Sequence, residues 1–253
     1  DYWYHEYERQ FGAIVHPEIA LPDARVVIPE GMDPALLHQI TADEWREAYR
    51  ACKGMALRSE TFAKDAIKFG NTDEARKKEL TPFSVATYNC VIELLQPRGK
   101  NKHAVFVVKE SEAITYNYER NAEDPRIAHN LNIKLDEYGN VLESASVVYP
   151  RAVADASLPV ETQQEQNKTV IIYTQNQFTN DVIGDDTYRL RLPSEVKTYE
   201  LKGVPKVGIY YSPVDFTDIL SDAKSDTAFY HELSKPLVAR KAQKRLIEHV
   251  RST

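Results

Sequence analysis

Carboxylates are the residues of this chain whose spacing comes nearest to a catalytic set. Asp136 and Glu137 are adjacent, and Glu195 and Glu200 lie five positions apart. Glycoside hydrolysis requires two carboxyl groups about 5–9 Å apart across a sugar, one of them acting as the acid. Sequence spacing does not supply that distance, and charged residues at this density commonly lie on the wet face of strands. Catalysis is therefore the weaker interpretation, and we assign no catalytic residue.

A second group of carboxylates has the chemistry of a calcium site. Asp181, Asp185 and Asp186 surround Ile183 and Gly184, and calcium prefers oxygen ligands at such density. The EF-hand pattern is absent, however. A solvated acidic turn is the favoured interpretation, with calcium binding as the alternative.

Histidine and cysteine form no local metal-binding pattern. No two histidines are three or four residues apart, which favours ordinary surface or half-buried side chains. The histidines are His5, His16, His38, His103, His129, His231 and His249. Cys52 and Cys90 permit at most one disulfide, and free buried thiols are favoured over a bridge. Without a G-x-S-x-G, phosphate-loop or H-E-x-x-H motif, the sequence predicts no cofactor, no metal and no enzyme.

Composition narrows the class of protein. The chain has 253 residues, a net charge of -6 and 42% apolar residues, which is ordinary for a globular protein. No apolar run approaches the ~20 residues of a membrane helix, and no signal peptide opens the chain. Because it starts at Asp1 without Met, we expect a mature product or an excised piece of a longer protein.

The basic residues form no stripe suited to the phosphate backbone of nucleic acid. The nearest cluster lies close to the C-terminus and is interpreted as the solvated face of a terminal helix. It comprises Arg240, Lys241, Lys244, Arg245 and Arg251.

The clearest helix begins after Thr41. Glu44 follows at capping-box spacing, and apolar residues recur at three- and four-residue steps from Trp45 to Cys52. This pattern predicts about three turns over residues 42–53, packed against another element.

Alternation of apolar and polar residues predicts strands over most of the remaining chain. The best hairpin joins 131–135 to 141–149 through the turn 137–140, which contains Gly139. Further strands are predicted at 26–28, 55–64, 83–96, 105–108, 114–119, 169–175, 188–192 and 196–201. Polar loops are predicted at 66–81, with a short helical turn there as the alternative, and at 151–168. Short helical turns are predicted at 216–220 and 229–233, and a C-terminal helix at 237–250.

These elements predict a mainly β fold of antiparallel strands and hairpins in a curved sheet, with one short helix in the first third and a C-terminal helix. Three regions are expected. They are a proline-rich extended lead-in at 1–40, a β-rich domain at 41–202, and an irregular or helical segment at 203–253.

Tyrosine is abundant, with 15 residues against 8 Phe. Packing on half-buried sheet surfaces is the favoured interpretation, and a wall that presents aromatic rings to something on its inner side is the alternative. Asn167, Lys168 and Thr169 match the N-glycosylation pattern, a match that arises easily by chance.

A family resemblance rests on six groups of segments that follow one another along residues 42–251. They are 49–60 (YRACKGMALRSE); 82–85 and 94–97 (PFSV, LLQP); 116–120, 124–127 and 136–142 (YNYER, DPRI, DEYGNVL); 173–180 (YTQNQFTN); 188–193 (YRLRLP); and 244–251 (KRLIEHVR). As a set they resemble the middle region of the B component of bacterial Tc (toxin complex) insecticidal toxins, a family associated with Rhs/YD repeats.

This resemblance implies a non-enzymatic structural segment of a secreted toxin complex. In the family, the B component joins a C component in a hollow β-walled cocoon around a cytotoxic effector, and a β-propeller docks the cocoon onto a pore-forming A component. The implied partners are the rest of the B chain, the C component with its cargo and, through the propeller, the A component. No nucleic acid or membrane contact is implied for this segment.

Two other functions stay open from the residues. One is a carbohydrate-binding or glycoside-cleaving β domain, which would need a concave pocket with aromatic rings and convergent carboxylates. The other is an adhesion module of an Rhs-type toxin that encloses no cargo.

Overall fold

Long strands with alternating apolar and polar residues form most of the two units into which the chain divides. The computed structural model describes residues 2–13, 18–29, 31–153, 155–229, 231–232 and 241–252. The first unit comprises Asp1–Ile127 and Pro150–Gln166, and the second comprises Ala128–Tyr149 and Asn167–Thr253.

The described residues of the first unit form four α-helices and four strands. In chain order they are α1 (Tyr2–Phe11), β1 (Arg25–Val27), α2 (Ala42–Ala51), β2 (Arg58–Thr61), α3 (Asp73–Leu80), β3 (Ser84–Gln96), β4 (Val105–Asn117) and α4 (Val160–Gln166), with 3-10 helices at Pro34–Gln39 and Ala66–Phe69. The sheet is built around the antiparallel pair β3–β4. β2 pairs antiparallel with one end of β3, and β1 pairs parallel with the other.

Helix α2 confirms the sequence prediction closely. Glu44 N–H donates to Thr41 Oγ1 at 3.3 Å, and Thr41 N–H donates back to Glu44 Oε2 at 2.9 Å, so the capping box forms. Ala48 is fully buried against Cys90 and Ile92 of β3. The apolar stripe of the helix therefore packs on the sheet, as its short length requires.

The second unit is built on an antiparallel array of long strands. It contains most of β5 (Arg126–Leu135), then β6 (Val141–Val148), β7 (Val170–Phe178), β8 (Val182–Ile183), β9 (Tyr188–Arg189), β10 (Pro193–Lys202), β11 (Ser225–Thr227) and β12 (Ala242–Arg251), with a 3-10 helix at Pro213–Phe216. β5, β6, β7, β10 and β12 pair antiparallel in that order, and β8 pairs with β9 as a separate two-stranded ribbon.

One face of this array is apolar. The register aligns a row of buried side chains across four strands: His129, Leu131, Ala145, Val147, Ile171, Tyr173 and Leu201. Because side chains alternate along a strand, the intervening residues form an opposite, more polar face. There Ser146 Oγ donates to Asn130 Oδ1 at 2.8 Å.

The mainly β class is confirmed, with strand pairing that is mixed rather than purely antiparallel. β1 runs parallel to β3, and β11 runs parallel to β12. Both strands have three residues and are separated from their partner strands by long stretches of chain. The local alternation of apolar and polar residues therefore does not predict this pairing.

The predicted C-terminal helix is also wrong where the structure describes it. Residues 242–251 form strand β12, and residues 237–240 lie outside the described part. Of the charged positions that suggested a helical face, Arg251 lies opposite Glu195 of the neighbouring strand β10.

Several segments expected to be loops or extended chain contain helices. α1 lies in the lead-in, α3 lies within 66–81 and α4 lies within 151–168. The helical turn predicted at 216–220 overlaps the last residue of the 3-10 helix Pro213–Phe216 and continues as turns through residue 220. In the other predicted turn, 229–233, residues 230 and 233 lie outside the described part of the chain. Among the described helices, none is long and apolar enough to cross a membrane. The domain boundaries near residues 40 and 202 stay a prediction.

Candidate functional site

The turn between β5 and β6 contains Asp136 and Glu137, the first candidate carboxylate pair, and both contact Arg191. Arg191 Nη1 donates to Asp136 Oδ2 at 3.0 Å, and Arg191 Nη2 donates to Glu137 Oε1 at 2.5 Å. The guanidinium also lies 4.7 Å from the ring centre of Tyr138. Asp136 has a side chain only 4% exposed, so this carboxylate is part of the turn's structure.

Asp136 is held ionised by its partners. Burial acts to raise its pKa, but hydrogen bonds from Asn140, from the backbone of Tyr138 and from Arg191 outweigh burial and leave the pKa below its usual range. A general acid needs the opposite shift, with its proton retained near neutral pH. The pair Asp136–Glu137 is therefore arranged for an ion pair.

The acidic loop is divided between two environments. Asp181 Oδ2 accepts from Arg191 Nη2 at 2.6 Å, whereas Asp185 and Asp186 are exposed in the turn between β8 and β9. The Arg191 hydrogen bond, the largest influence, lowers the pKa of Asp181. Within the described residues, no group of three or more His, Cys, Asp or Glu side chains could hold a metal ion.

Glu195 and Glu200 belong to separate ion-pair groups. Glu195 accepts from His249 Nε2 at 2.6 Å and from Arg251 at 2.9 Å, whereas Glu200 pairs with Arg245. Their odd spacing on β10 directs them to opposite faces. The His249 hydrogen bond is the largest cause that lowers the pKa of Glu195, to about 2. These two carboxylates do not face each other across a substrate site.

A buried polar cluster around Glu18 was not found from the sequence. Trp3 Nε1 donates to Glu18 Oε1 at 2.9 Å, Tyr118 Oη donates to the same oxygen at 2.7 Å, and Arg58 Nη1 donates to Oε2 at 2.5 Å. We call these four residues the Glu18 cluster. Tyr118 lies 100 residues from Glu18 in the chain, so no local motif signals the cluster.

The Glu18 cluster borders a cavity of about 540 Å³, whose other lining residues include Tyr4, His5 and Tyr88. Burial acts to raise the pKa of Glu18, but hydrogen bonds from Arg58, Tyr118 and Trp3 outweigh it and lower the pKa. The Glu18 carboxylate thus joins α1, β2 and Tyr118, the residue that directly follows β4.

The remaining candidates have structural contacts. His129 is buried with its Nδ1 3.2 Å from Tyr149 Oη, and His103 Nδ1 lies 2.7 Å from Glu47 Oε1. His16 lies outside the described residues. Cys52 and Cys90 are free thiols with their sulfur atoms 3.9 Å apart. Asn167 of the glycosylation pattern is exposed after α4.

The C-terminal basic residues form no free cationic face among the described residues. Lys241 lies 3.2 Å from Asp226, Lys244 lies 3.1 Å from Asp222, and Arg251 reaches Glu195. Arg240 lies outside the described part.

Five tyrosines confirm the packing interpretation, whereas others such as Tyr138 and Tyr188 are exposed. Tyr116, Tyr118 and Tyr173 are at most 1% exposed, and Tyr149 and Tyr211 are also buried. Their rings belong to the cores, where they contact one another and Phe216.

Comparison with solved structures identifies the same fold in Tc toxin complexes. The crystal structure of TcdB2-TccC3 is 19% identical, covers 93% of this chain and 12% of that chain, and has a TM-score of 0.60. TcdB2-TccC3 without its hypervariable C-terminal region is 20% identical and covers 86% and 10%, with a TM-score of 0.57. The Tc holotoxin pore of Photorhabdus luminescens is 20% identical and covers 74% and 9%, with a TM-score of 0.54. The chain thus spans about a tenth of the solved chains.

Sequence comparison assigns the family. No curated protein matches the chain. The profile described as the insecticide toxin TcdB middle/C-terminal region matches residues 47–192, which is more than half of the chain. The chain therefore belongs to the family of the insecticide toxin TcdB middle/C-terminal region.

Proposed function

We propose that this chain is a non-enzymatic wall segment of a Tc-type toxin B component and forms part of the cocoon that encloses a cytotoxic effector. Its partners would be the rest of the B chain, a C component with its cargo and, through a propeller elsewhere in the B component, a pore-forming A component. The complex would act after secretion. The observation that carries the proposal is the two-faced strand array of the second unit in a chain of this family.

The two faces suit a wall. One face buries large side chains such as Tyr173 and Leu201, and this burial favours a continuous sheet. The other presents polar side chains such as Asn130, Ser146 and Thr198, which water can solvate on the inside or outside of a shell. Because neighbouring strands pair, most of the backbone N–H and C=O groups between them are hydrogen-bonded.

The ion pairs support a structural role. Arg191 joins the β5–β6 turn to the segment before β8, and Glu195 joins β10 to β12. These contacts hold neighbouring segments in register. They use the carboxylates that hydrolysis would otherwise need as a proton donor and a nucleophile.

The direct test is an electron cryomicroscopy structure of the full-length B component that contains this chain, purified with its C component. We expect β5, β6, β7, β10 and β12 to lie within a closed wall around density for the cargo. Finding this segment ordered outside a closed shell would contradict the proposal and favour an adhesion module.

A variant pair adds a functional measurement on the same complex. Tyr173→Ala removes a ring with 0% exposure from the middle of the array, and Tyr188→Ala removes one that is 72% exposed. We expect added protease to degrade the cargo in the Tyr173→Ala complex and to spare it in the Tyr188→Ala control. Equal protection in both would contradict a wall role for this array.

A glycan array separates the proposal from the carbohydrate alternative. We expect the chain to show no saturable binding. A specific glycan that binds the parent chain but not Glu195→Gln or Asp136→Asn would replace the wall proposal with a carbohydrate site.

A further inference from the structure

Two thiols meet where α2 rests on the sheet of the first unit. Cys52 is the C-terminal cap residue of α2, and Cys90 lies in the middle of β3. Their sulfur atoms are 3.9 Å apart although the residues are 38 positions apart in the chain. Both are free thiols, Cys90 buried and Cys52 partly exposed.

We propose that Cys52 and Cys90 form an intramolecular disulfide when the protein enters an oxidising environment. A disulfide has a sulfur–sulfur length of about 2.05 Å, so the sulfur atoms must approach by roughly 1.9 Å from their contact distance. Cys52 lies at the end of a helix, where the following turn can adjust. The chain has two cysteines in all, so no third thiol of the chain competes.

The difference in exposure sets the order of the reaction with glutathione disulfide as the oxidant. The Cys52 thiolate attacks one sulfur of glutathione disulfide, and the departing glutathione thiolate takes up the proton that Cys52 released. The Cys90 thiolate then attacks Cys52 Sγ and displaces the second glutathione, which takes up the Cys90 proton. Two protein thiols are oxidised, and one glutathione disulfide is reduced to two glutathione molecules.

The second step is expected to be the slow one near neutral pH. In the reduced protein, burial, the largest cause, together with the neighbouring Cys52 raises the pKa of Cys90 to about 11, and the burial still acts after Cys52 has reacted. Since the thiolate is the attacking species, a raised pKa keeps the reactive fraction small, and ring closure accelerates as pH rises.

The bond would close a loop that contains β2, α3 and the first half of β3. Closing a loop of this length restricts the unfolded chain, and we expect the oxidised protein to melt about 5–10 °C higher than the reduced protein. The thiols would stay reduced in a bacterial cytoplasm and bond outside it. This inference stands independently of the proposed shell function.

The experiment uses the purified 253-residue chain, incubated with excess glutathione disulfide at pH 8. We expect the intact mass to fall by two hydrogens, the count of thiols titratable after unfolding to drop from two to none, and a non-reducing peptide map to join the Cys52 and Cys90 peptides. Adding a reductant should restore both thiols and the lower melting temperature.

Single variants supply the matched controls. Cys90→Ala should stop at one glutathione adduct on Cys52, and Cys52→Ala should remain largely unmodified because Cys90 is buried. A stable mixed disulfide on the parent chain, disulfide-linked dimers, or two thiols remaining after prolonged oxidation would each overturn the proposal. The parent chain alone decides the question if a variant folds poorly.

Discussion

Arg191 joins carboxylates from two turns that are distant in sequence. Its removal leaves the buried Asp136 carboxylate without its cation, and a buried charge that loses a partner is costly. We expect Arg191→Ala to lower the melting temperature by about 5 °C. Differential scanning fluorimetry at pH 7 would measure the change.

The neighbouring Arg189 provides the control for that variant. It lies on β9 and is exposed, so Arg189→Ala should shift the melting temperature by less than about 1 °C. Arg191→Lys should recover part of the loss, because an ammonium keeps the charge but cannot reach Asp136, Glu137 and Asp181 together. Equal melting temperatures for the two alanine variants would contradict a role for this ion-pair group.

The hydroxyl of Tyr118 is a donor to a buried carboxylate. Burial, followed by the Glu18 charge, raises the pKa of Tyr118, so the hydroxyl keeps its proton throughout the physiological range. We expect Tyr118→Phe to reduce the free energy of unfolding by about 1–2 kcal/mol, measured by urea denaturation. Tyr2→Phe is the control, since Tyr2 is 64% exposed on the same α1 that carries Trp3. A loss as large in Tyr2→Phe would show that the buried hydrogen bond is not responsible.

These residues mark the limit of sequence reasoning at this scale. The acids Asp136, Glu137 and Asp181 were recognised as unusual from the sequence, but their shared partner Arg191 was not, because it lies up to 55 residues away. The Glu18 cluster had no local signal. Its members meet through folding over separations that a spacing rule does not cover.

Among the elements, α2 offers the sharpest test of how capping contributes to stability, because the Glu44 side chain accepts hydrogen bonds in two places. Its Oε2 closes the capping box, and its Oε1 accepts from the backbone N–H of Arg98 at 2.8 Å. Thr41→Ala removes the cap alone and should cost about 1 kcal/mol. Glu44→Ala removes the acceptor of both the Thr41 N–H and the Arg98 N–H, so we expect a loss of about 2 kcal/mol.

Urea denaturation of both variants measures that difference. Asp43→Ala is the control, because Asp43 is in the same first turn but its side chain is 59% exposed; its loss should stay below about 1 kcal/mol. A Glu44→Ala loss no greater than that of Thr41→Ala would show that the contact with Arg98 adds nothing to stability.

The elements also show which sequence signals were sufficient. Local sequence is enough to predict α2 and the β5–β6 hairpin. The helix has a capping box, and the hairpin has a turn with Gly139 at φ +86. β12 does not. Its sequence fits a helical stripe as well as a strand, and pairing with β10 and β11 decides between them. The parallel strands β1 and β11 likewise depend on distant partners.

For the whole molecule, lowered carboxylate pKa values predict sensitivity to acid in both units. The pKa is lowered for Glu18 and Glu44 in the first unit and for Asp136, Asp181 and Glu195 in the second. A carboxylate whose pKa is lowered by folding stabilises the folded state at pH values above its ordinary pKa. This contribution is lost as the pH falls through the pKa that the group has in the folded protein. The melting temperature should therefore be nearly constant from pH 8 to 6 and fall from about pH 5 toward pH 2.

Glu195 permits a direct check of that cause, because its pKa falls from an ordinary value of 4.5 to about 2. Glu195→Gln removes the ionisable group, so the variant should melt below the parent at pH 7 and approach it near pH 2, where the parent carboxylate is itself becoming protonated. Glu161→Gln, on the exposed side of α4, should follow the parent at every pH. A Glu195→Gln deficit that stays equally large at pH 7 and pH 2 would show that packing, and not the ionised carboxylate, joins β10 to β12.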